Sequence, residues 1–248
     1  MHLFVKTFVR ATKTAQIFTV CRKAYFCVLF TEVGKDKLKR FAEIDTFSNV
    51  LQLDAGKPFK GEWSKGFFKN NNPVVLELAC GKGEYTVNLA TLFPDKNFIG
   101  IDYKGNRIWR GAKTALEDGV PNVAFLRIQI ENLLDYFATG EVDEIWITFP
   151  DPQPQLSREK KRLTSPRFLD KYIEILKPGG CVNLKTDNDG LHAYTAEKIE
   201  ELKLKLHIRT EDLYHSPYAD EVLSIKTYYE KKYLKDNKNI NYLKFSFA

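Results

Sequence analysis

From Pro73 onward the chain alternates short apolar runs with amphipathic stretches, and this constrains the fold more than any single motif. The runs VVLELA (74–79), FIGID (98–102), VAFLRIQ (123–129), EIWITF (144–149) and CVNLKT (181–186) have strand length and are rich in β-branched and aromatic residues. Between them lie helical stretches at 84–93, 104–117, 132–137, 165–176 and 189–202, several of them punctuated by Pro94, Pro121 or the KPGG of 177–180. Strand and helix taking turns in this way predict an α/β fold with a doubly wound, mostly parallel, Rossmann-like sheet. The tail reads as two further strands, IRTEDLYH and EVLSIKTYYEKKYL, without a helix between them. The expectation there is an antiparallel hairpin at one edge of the sheet.

At 248 residues with a formal charge of +6, the chain is long enough for a substantial core and basic enough to tolerate a polyanionic partner, without requiring one. Cys21, Cys27, Cys80 and Cys181 form no CxxC pair, and the four histidines are scattered, so a reducing, cytoplasmic setting and no metal are expected. No stretch is apolar enough over a sufficient length to span a bilayer. Residues 1–32 form a basic extension with no acidic residue before Glu32, a composition that resembles a transit peptide. Met1 is the single methionine, and the expectation is a start at Val33 read from a GTG codon, with 1–32 a start-site artefact. The remainder divides by expectation into an N-terminal segment, 33–72, that would add contacts to such a polyanionic partner, and the sheet domain, 73–248.

In such folds ligands bind beyond the carboxyl ends of the strands. The first strand ends in LELACGKGEYT, with Glu77 near its end and Gly81 and Gly83 in the turn that follows. Glycines there admit close approach of a ligand to the backbone. A dinucleotide fingerprint would have a third glycine where Thr86 stands, and Glu84 puts a negative charge where a phosphate would sit; a cationic or neutral ligand suits the turn better. Asp102 closes the second strand, where an acid either accepts hydrogen bonds from both ribose hydroxyls or caps the next helix. At the end of the third strand, Gln129 or the adjacent backbone is placed to meet an adenine edge.

The fourth strand runs into FPDPQPQ, residues 149–155, in which three prolines stiffen the backbone around Asp151. Alone this is either a rigid turn or a fixed carboxylate facing whatever the glycine turn holds. Arg158, Lys160, Lys161, Arg162 and Arg167 follow at once. Such a run is more often a solvated face than a site, but beside the carboxylate it suits a phosphate backbone. Lys35, Lys37, Lys39 and Arg40, with Lys226, Lys231 and Lys232, would extend the basic surface.

Together LELACGKGEY, FIGID, FPDP with KKRLTSPRF, LKPGG, LKTD and TYYE resemble the bacterial tRNA (guanine-N7)-methyltransferases over about residues 34–234. The resemblance implies a class I methyltransferase fold, S-adenosyl-L-methionine as cofactor, and tRNA as partner, methylated at N7 of guanine-46 in the variable loop by a monomer or homodimer. It implies cofactor contacts from Glu77, Gly81, Gly83, Asp102 and Gln129, and Asp151 as the catalytic acid. Substrate contacts would come from Gln155, Asp187, Thr227, Tyr228, Tyr229 and Glu230. The chain departs from the family pattern at Gln153 for Trp, Gln155 for Lys, Arg158 for His, Gln129 for Asp, and TYYE for TKFE. Tyr228 and Tyr229 would stack on nucleotides, strand alternation turning one of them inward. Two other readings are an inactive RNA-binding relative, which would keep the basic run, and a class I methyltransferase for another substrate, which would not need it.

Overall fold

A computed structural model describes residues 37–247; the basic extension 1–32 and Lys35 lie outside the described residues. Two compact units part between Asp45 and Thr46. The described part of the first is a helix over 37–44 with Lys37 and Lys39 exposed.

The second unit carries one eight-stranded sheet. In chain order its strands are β1 (Val50–Gln52), β2 (Val74–Leu78), β3 (Asn97–Ile101), β4 (Val123–Arg127), β5 (Val142–Thr148), β6 (Leu176–Thr186), β7 (Lys205–Thr210) and β8 (Asn241–Ser246). Its helices are α1 (Glu84–Leu92), α2 (Gly105–Glu117), α3 (Pro166–Ile175), α4 (Asp189–Glu201) and α5 (Tyr228–Lys235), with shorter turns between. The strand order is β1-β4-β3-β2-β5-β6-β8-β7, and every pair from β1 to β6 is parallel. The doubly wound sheet expected from the alternation is therefore present. It takes in β1 from the segment 33–72, so the sheet unit begins upstream of residue 73.

The antiparallel edge is also present, but its second strand lies elsewhere. β8 pairs antiparallel with both β6 and β7, and it is built from NYLKFS, not EVLSIKTYYEKKYL. That stretch is a loop followed by α5. A capping box overrides its aromatic content: the Thr227 side chain accepts from the Glu230 N–H, and the Glu230 carboxylate accepts from the Thr227 N–H. Tyr228 and Tyr229 consequently open a helix, and neither turns inward.

Because β3 and β5 flank β2 on opposite sides, the winding reverses between β2 and β5, and the turns after those two strands share one crevice. Packing around Phe125 fixes that crevice. Cβ atoms added at Gly83, Gly100 and Gly111 would meet its ring at 2.4, 2.8 and 2.8 Å, so the ring occupies the space three absent side chains leave. Gly83 also needs φ +68°. Gly119 has a similar φ of +65° but nothing near a would-be Cβ. Gly119→Ala should thus cost only backbone strain, about 1 kcal/mol. Gly83→Ala should cost at least ~2 kcal/mol more from overpacking, read by urea unfolding of the two variants.

Candidate active site

Glu77 sits beneath the glycine turn, 3% exposed. Its Oε2 accepts the Thr86 N–H at 2.8 Å and the Thr86 hydroxyl, and its Oε1 accepts the Thr148 hydroxyl at 2.5 Å. The carboxylate is thereby bonded to α1 and to the last residue of β5, because a buried charge needs donors. Burial still pushes its pKa up to about 7, against the opposing pull of the Thr148 and Thr86 hydrogen bonds.

Above Glu77 the turn winds through Ala79, Gly81 and Gly83, all at positive φ. Gly83 is closed in by Phe125, whereas a Cβ on Gly81 would meet only the Ala79 carbonyl, at 3.9 Å. Gly81 is thus the turn position with open space over it. Its N–H donates to Asp102 Oδ2 at 3.0 Å, and Asp102 Oδ1 accepts the Lys104 N–H at 2.8 Å. Asp102 therefore shapes the start of α2 and braces the turn at once, while each oxygen keeps a further lone pair for a ligand. It lines a cleft of about 340 Å³ together with Ala79, Tyr103, Gln129 and Lys161. The structure thus brings Asp102, Gln129 and the turn to one cleft. Lys161 joins them there, a place the reading of the basic run as a phosphate face did not anticipate.

Asp151 emerges exposed from β5, the neighbour of β2, with its Oδ1 accepting the Gln153 N–H at 3.1 Å. Phe149 and Gln153, on either side of it, have φ of +49° and +44°. Arg162 grips this loop: Nε donates to the Gln153 carbonyl at 3.2 Å, Nη2 reaches the Pro154 carbonyl at 3.5 Å, and the guanidinium lies 4.3 Å from the Tyr194 ring centroid. Arg162, expected on the phosphate face, thus also holds this loop. Arg158, Lys160, Lys161 and Arg167 remain exposed, and so does Gln155 at the head of the turn 156–161.

Of the other expected substrate contacts, Thr227 caps α5 and Glu230 is wholly buried. Glu230 Oε1 pairs with the equally buried Lys185 at 2.8 Å and accepts from Tyr214 at 2.5 Å. Lys185 also donates to the carbonyls of Leu223 and Ile225, and burial holds its pKa below the usual lysine value. Glu230 consequently faces inward. Asp187 pairs with Lys238 at 3.3 Å at the rim. Tyr228 and Tyr229 are 54% and 45% exposed, with their rings edge to face. Sequence reasoning missed Thr86, Thr148 and Lys185. The T-x-x-E spacing of TYYE was the available signal for a cap, and a lysine inside a strand run was the signal for a buried partner.

A family model described as a putative methyltransferase matches residues 71–243. A tRNA (guanine-N(7)-)-methyltransferase from Christiangramia forsetii is 51% identical over 86% of this chain and 98% of its own, and one from Bacteroides thetaiotaomicron is 49% identical over 86% of each. The chain belongs to the tRNA (guanine-N(7)-)-methyltransferase family. The relationship extends to a Clostridium acetobutylicum member at 36% identity, covering 83% of this chain and 95% of its own. Among solved structures, the 16S rRNA methyltransferase KamB shares the fold at TM-score 0.55 and 18% identity, over 71% of this chain and 88% of its own. A 16S rRNA (adenine(1408)-N(1))-methyltransferase from Catenulisporales acidiphilia does so at TM-score 0.53 and 15% identity, over 76% and 93%. The methyltransferase sheet expected from the sequence is confirmed in this way.

Two outcomes follow for the buried charges. Lys185→Met should strand Glu230 without its cation and lower stability by about 3–5 kcal/mol, and adding Glu230→Gln should restore much of it, measured as a double-mutant cycle in urea. Glu77 has a raised folded pKa, so its favourable neutral form stabilises below pH 4.5 and that contribution is lost as pH rises toward 7. The loss amounts to about 3 kcal/mol. Glu77→Gln should remove this component, so the stability difference between variant and wild type should shift in favour of the variant between pH 4.5 and 8.

Proposed function

We propose that this protein transfers the methyl group of S-adenosyl-L-methionine to N7 of a guanine in the tRNA variable loop, guanine-46. The observation that carries the reading is the family relationship at 51% identity, joined to an exposed, stiffened Asp151 on the strand beside the glycine turn. The residues present suit the cofactor. The open side of Gly81 leaves room for it, the spare lone pairs of Asp102 suit ribose hydroxyls, and exposed Gln129 suits an adenine edge. Bound there, the cofactor supplies an electrophilic methyl on a sulfonium.

Guanine N7 carries an exposed lone pair, so no base is needed to take a proton before attack, and alignment supplies most of the catalysis. Asp151 is assigned to the guanine: it accepts hydrogen bonds from the N1–H and N2–H edge and stabilises the positive charge the base gains. That edge also separates guanine from adenine. Arg158, Lys160 and Arg167 are assigned to phosphates, and Lys161 to the rim between cleft and RNA. Gln155 and Asp187 are assigned to the substrate side, as is the Tyr228–Tyr229 pair, whose exposed rings suit stacking on an unpaired base. Glu77, Thr227 and Glu230 are assigned to holding these groups. The protein acts in the cytoplasm, as a monomer or homodimer.

The test is methyl transfer from labelled S-adenosylmethionine to an unmodified tRNA transcript, with aniline cleavage locating the product. Wild type should give cleavage in the variable loop. Asp151→Ala, its fold checked by circular dichroism, should lower the rate at least ~100-fold. Bound tRNA without transfer by wild type would instead favour the inactive RNA-binding relative.

A further inference from the structure

Lys82 in the glycine turn and Glu84 and Tyr85 just after it contact the segment that leads into α5. Glu84, the first residue of α1, accepts the N–H of Tyr228, the first residue of α5, at 2.8 Å. One half-buried carboxylate thus stands at two helix N-termini, where the partial positive charge of both favours it. Lys82, inside the turn, places its ammonium 4.1 Å from the centroid of the Tyr228 ring. Tyr85, wholly buried, donates its hydroxyl to the Val222 carbonyl at 3.0 Å. From the far side Lys185 holds Leu223, Ile225 and Glu230. The segment 222–230 is therefore suspended between the turn and β6.

These contacts differ in what they can transmit. Lys185 and Tyr85 are buried, so their contacts fix Val222, Leu223, Ile225 and Glu230 whether or not a ligand is present, and leave the outward-facing Tyr228 and Tyr229 between those anchors. Glu84 and Lys82 belong to the turn whose open face is over Gly81, and they touch the residue that carries the exposed aromatic pair. A ligand that orders the turn thereby orders the N-terminus of α5, and a second ligand stacking on Tyr228 and Tyr229 meets a helix already fixed. Binding that has been prepared in this way is tighter, by the ordering free energy the first ligand has already supplied.

We propose that Glu84 is a positioning residue that couples the two halves of the site, so that the cofactor and the RNA each tighten binding of the other through the Glu84–Tyr228 hydrogen bond. The coupling rests on the tRNA methyltransferase reading and adds to it a reciprocal linkage between sites. Glu84 touches neither reacting group; it acts through Tyr228. A glutamine at this position keeps an oxygen that can accept the Tyr228 N–H, whereas an alanine does not.

The experiment measures the Kd of an unmodified tRNA transcript for the full chain with and without saturating S-adenosylhomocysteine, the non-reactive product. Wild type should bind the RNA at least ~5-fold more tightly with the nucleoside present, the lower end of typical linkage between sites. Glu84→Ala should reduce that factor below about 2, with a raised KM for tRNA, a smaller change in kcat, and S-adenosylhomocysteine affinity in the absence of RNA within about twofold of wild type. Glu84→Gln should keep the wild-type factor. Wild type without coupling, Glu84→Ala with coupling intact, or Glu84→Gln behaving as alanine would each overturn the proposal. Should wild type neither bind nor methylate tRNA, the tRNA reading itself fails and the coupling falls with it. Methylation and coupling that survive in Glu84→Ala defeat the coupling role alone.

Discussion

The hydrogen bonds that converge on Glu77 hold the two halves of the crevice together. One carboxylate gathers the backbone and hydroxyl of Thr86 in the first turn of α1 and the hydroxyl of Thr148 at the end of β5. The glycine turn lies between Glu77 and α1, so fixing both ends of that stretch fixes the path between them. Thr148 is one residue before Phe149, so the same carboxylate fixes where FPDP leaves the sheet. A neutral side chain of similar size would bury at less electrostatic cost, as the upward shift of the Glu77 pKa implies. What the acid adds is acceptor capacity on both oxygens, which three donors from two elements use.

A second buried charge does the equivalent work on the other side of the crevice. Lys185 near the end of β6 gathers Leu223, Ile225 and Glu230, and so holds an otherwise largely exposed segment against the sheet. Family-like motifs thus divide into residues that hold and residues that face outward. Within GKGEY, Gly83 and Tyr85 are closed in while Gly81 is open; within TYYE, Thr227 and Glu230 hold while Tyr228 and Tyr229 are exposed.

That division explains what could be read from the sequence. β2 to β6 and α1 to α4 were legible because strand runs and amphipathic stretches alternate with breakers between them, a pattern that tertiary contacts reinforce. The tail was not, because Tyr and Ile content argues for strand while a cap of one threonine and one glutamate argues for helix, and periodicity cannot weigh the two. Asp102, Gln129 and Asp151 were legible as residues at strand ends, since topology alone sends those positions to the crevice. Whether an acid there faces out or in was not legible. Glu77 and Glu230 differ from Asp151 through their partners Thr86, Thr148, Lys185 and Tyr214, which are distant in sequence or carry no motif of their own.

The loop around Asp151 shows how stiffness is built when prolines are insufficient. Proline restricts its own φ and disfavours helix at the preceding residue, but it does not place Phe149 and Gln153 in the left-handed region. Each of those non-glycine positions costs about 1–2 kcal/mol, so surrounding contacts must hold them. Phe149 donates its N–H to the Lys185 carbonyl at 2.8 Å and sets its ring 6.0 Å from Tyr233, which ties the upstream side to β6 and α5. Gln153 is held through its N–H by Asp151 and through its carbonyl by Arg162, which Tyr194 backs. Asp151 thus stands between two strained residues, each fastened to a different element, and Arg162 secures the second. Arg158, Lys160 and Lys161 lie nearer the loop in sequence and stay exposed, so it is geometry rather than proximity that makes Arg162 the cation fixing the direction of this carboxylate.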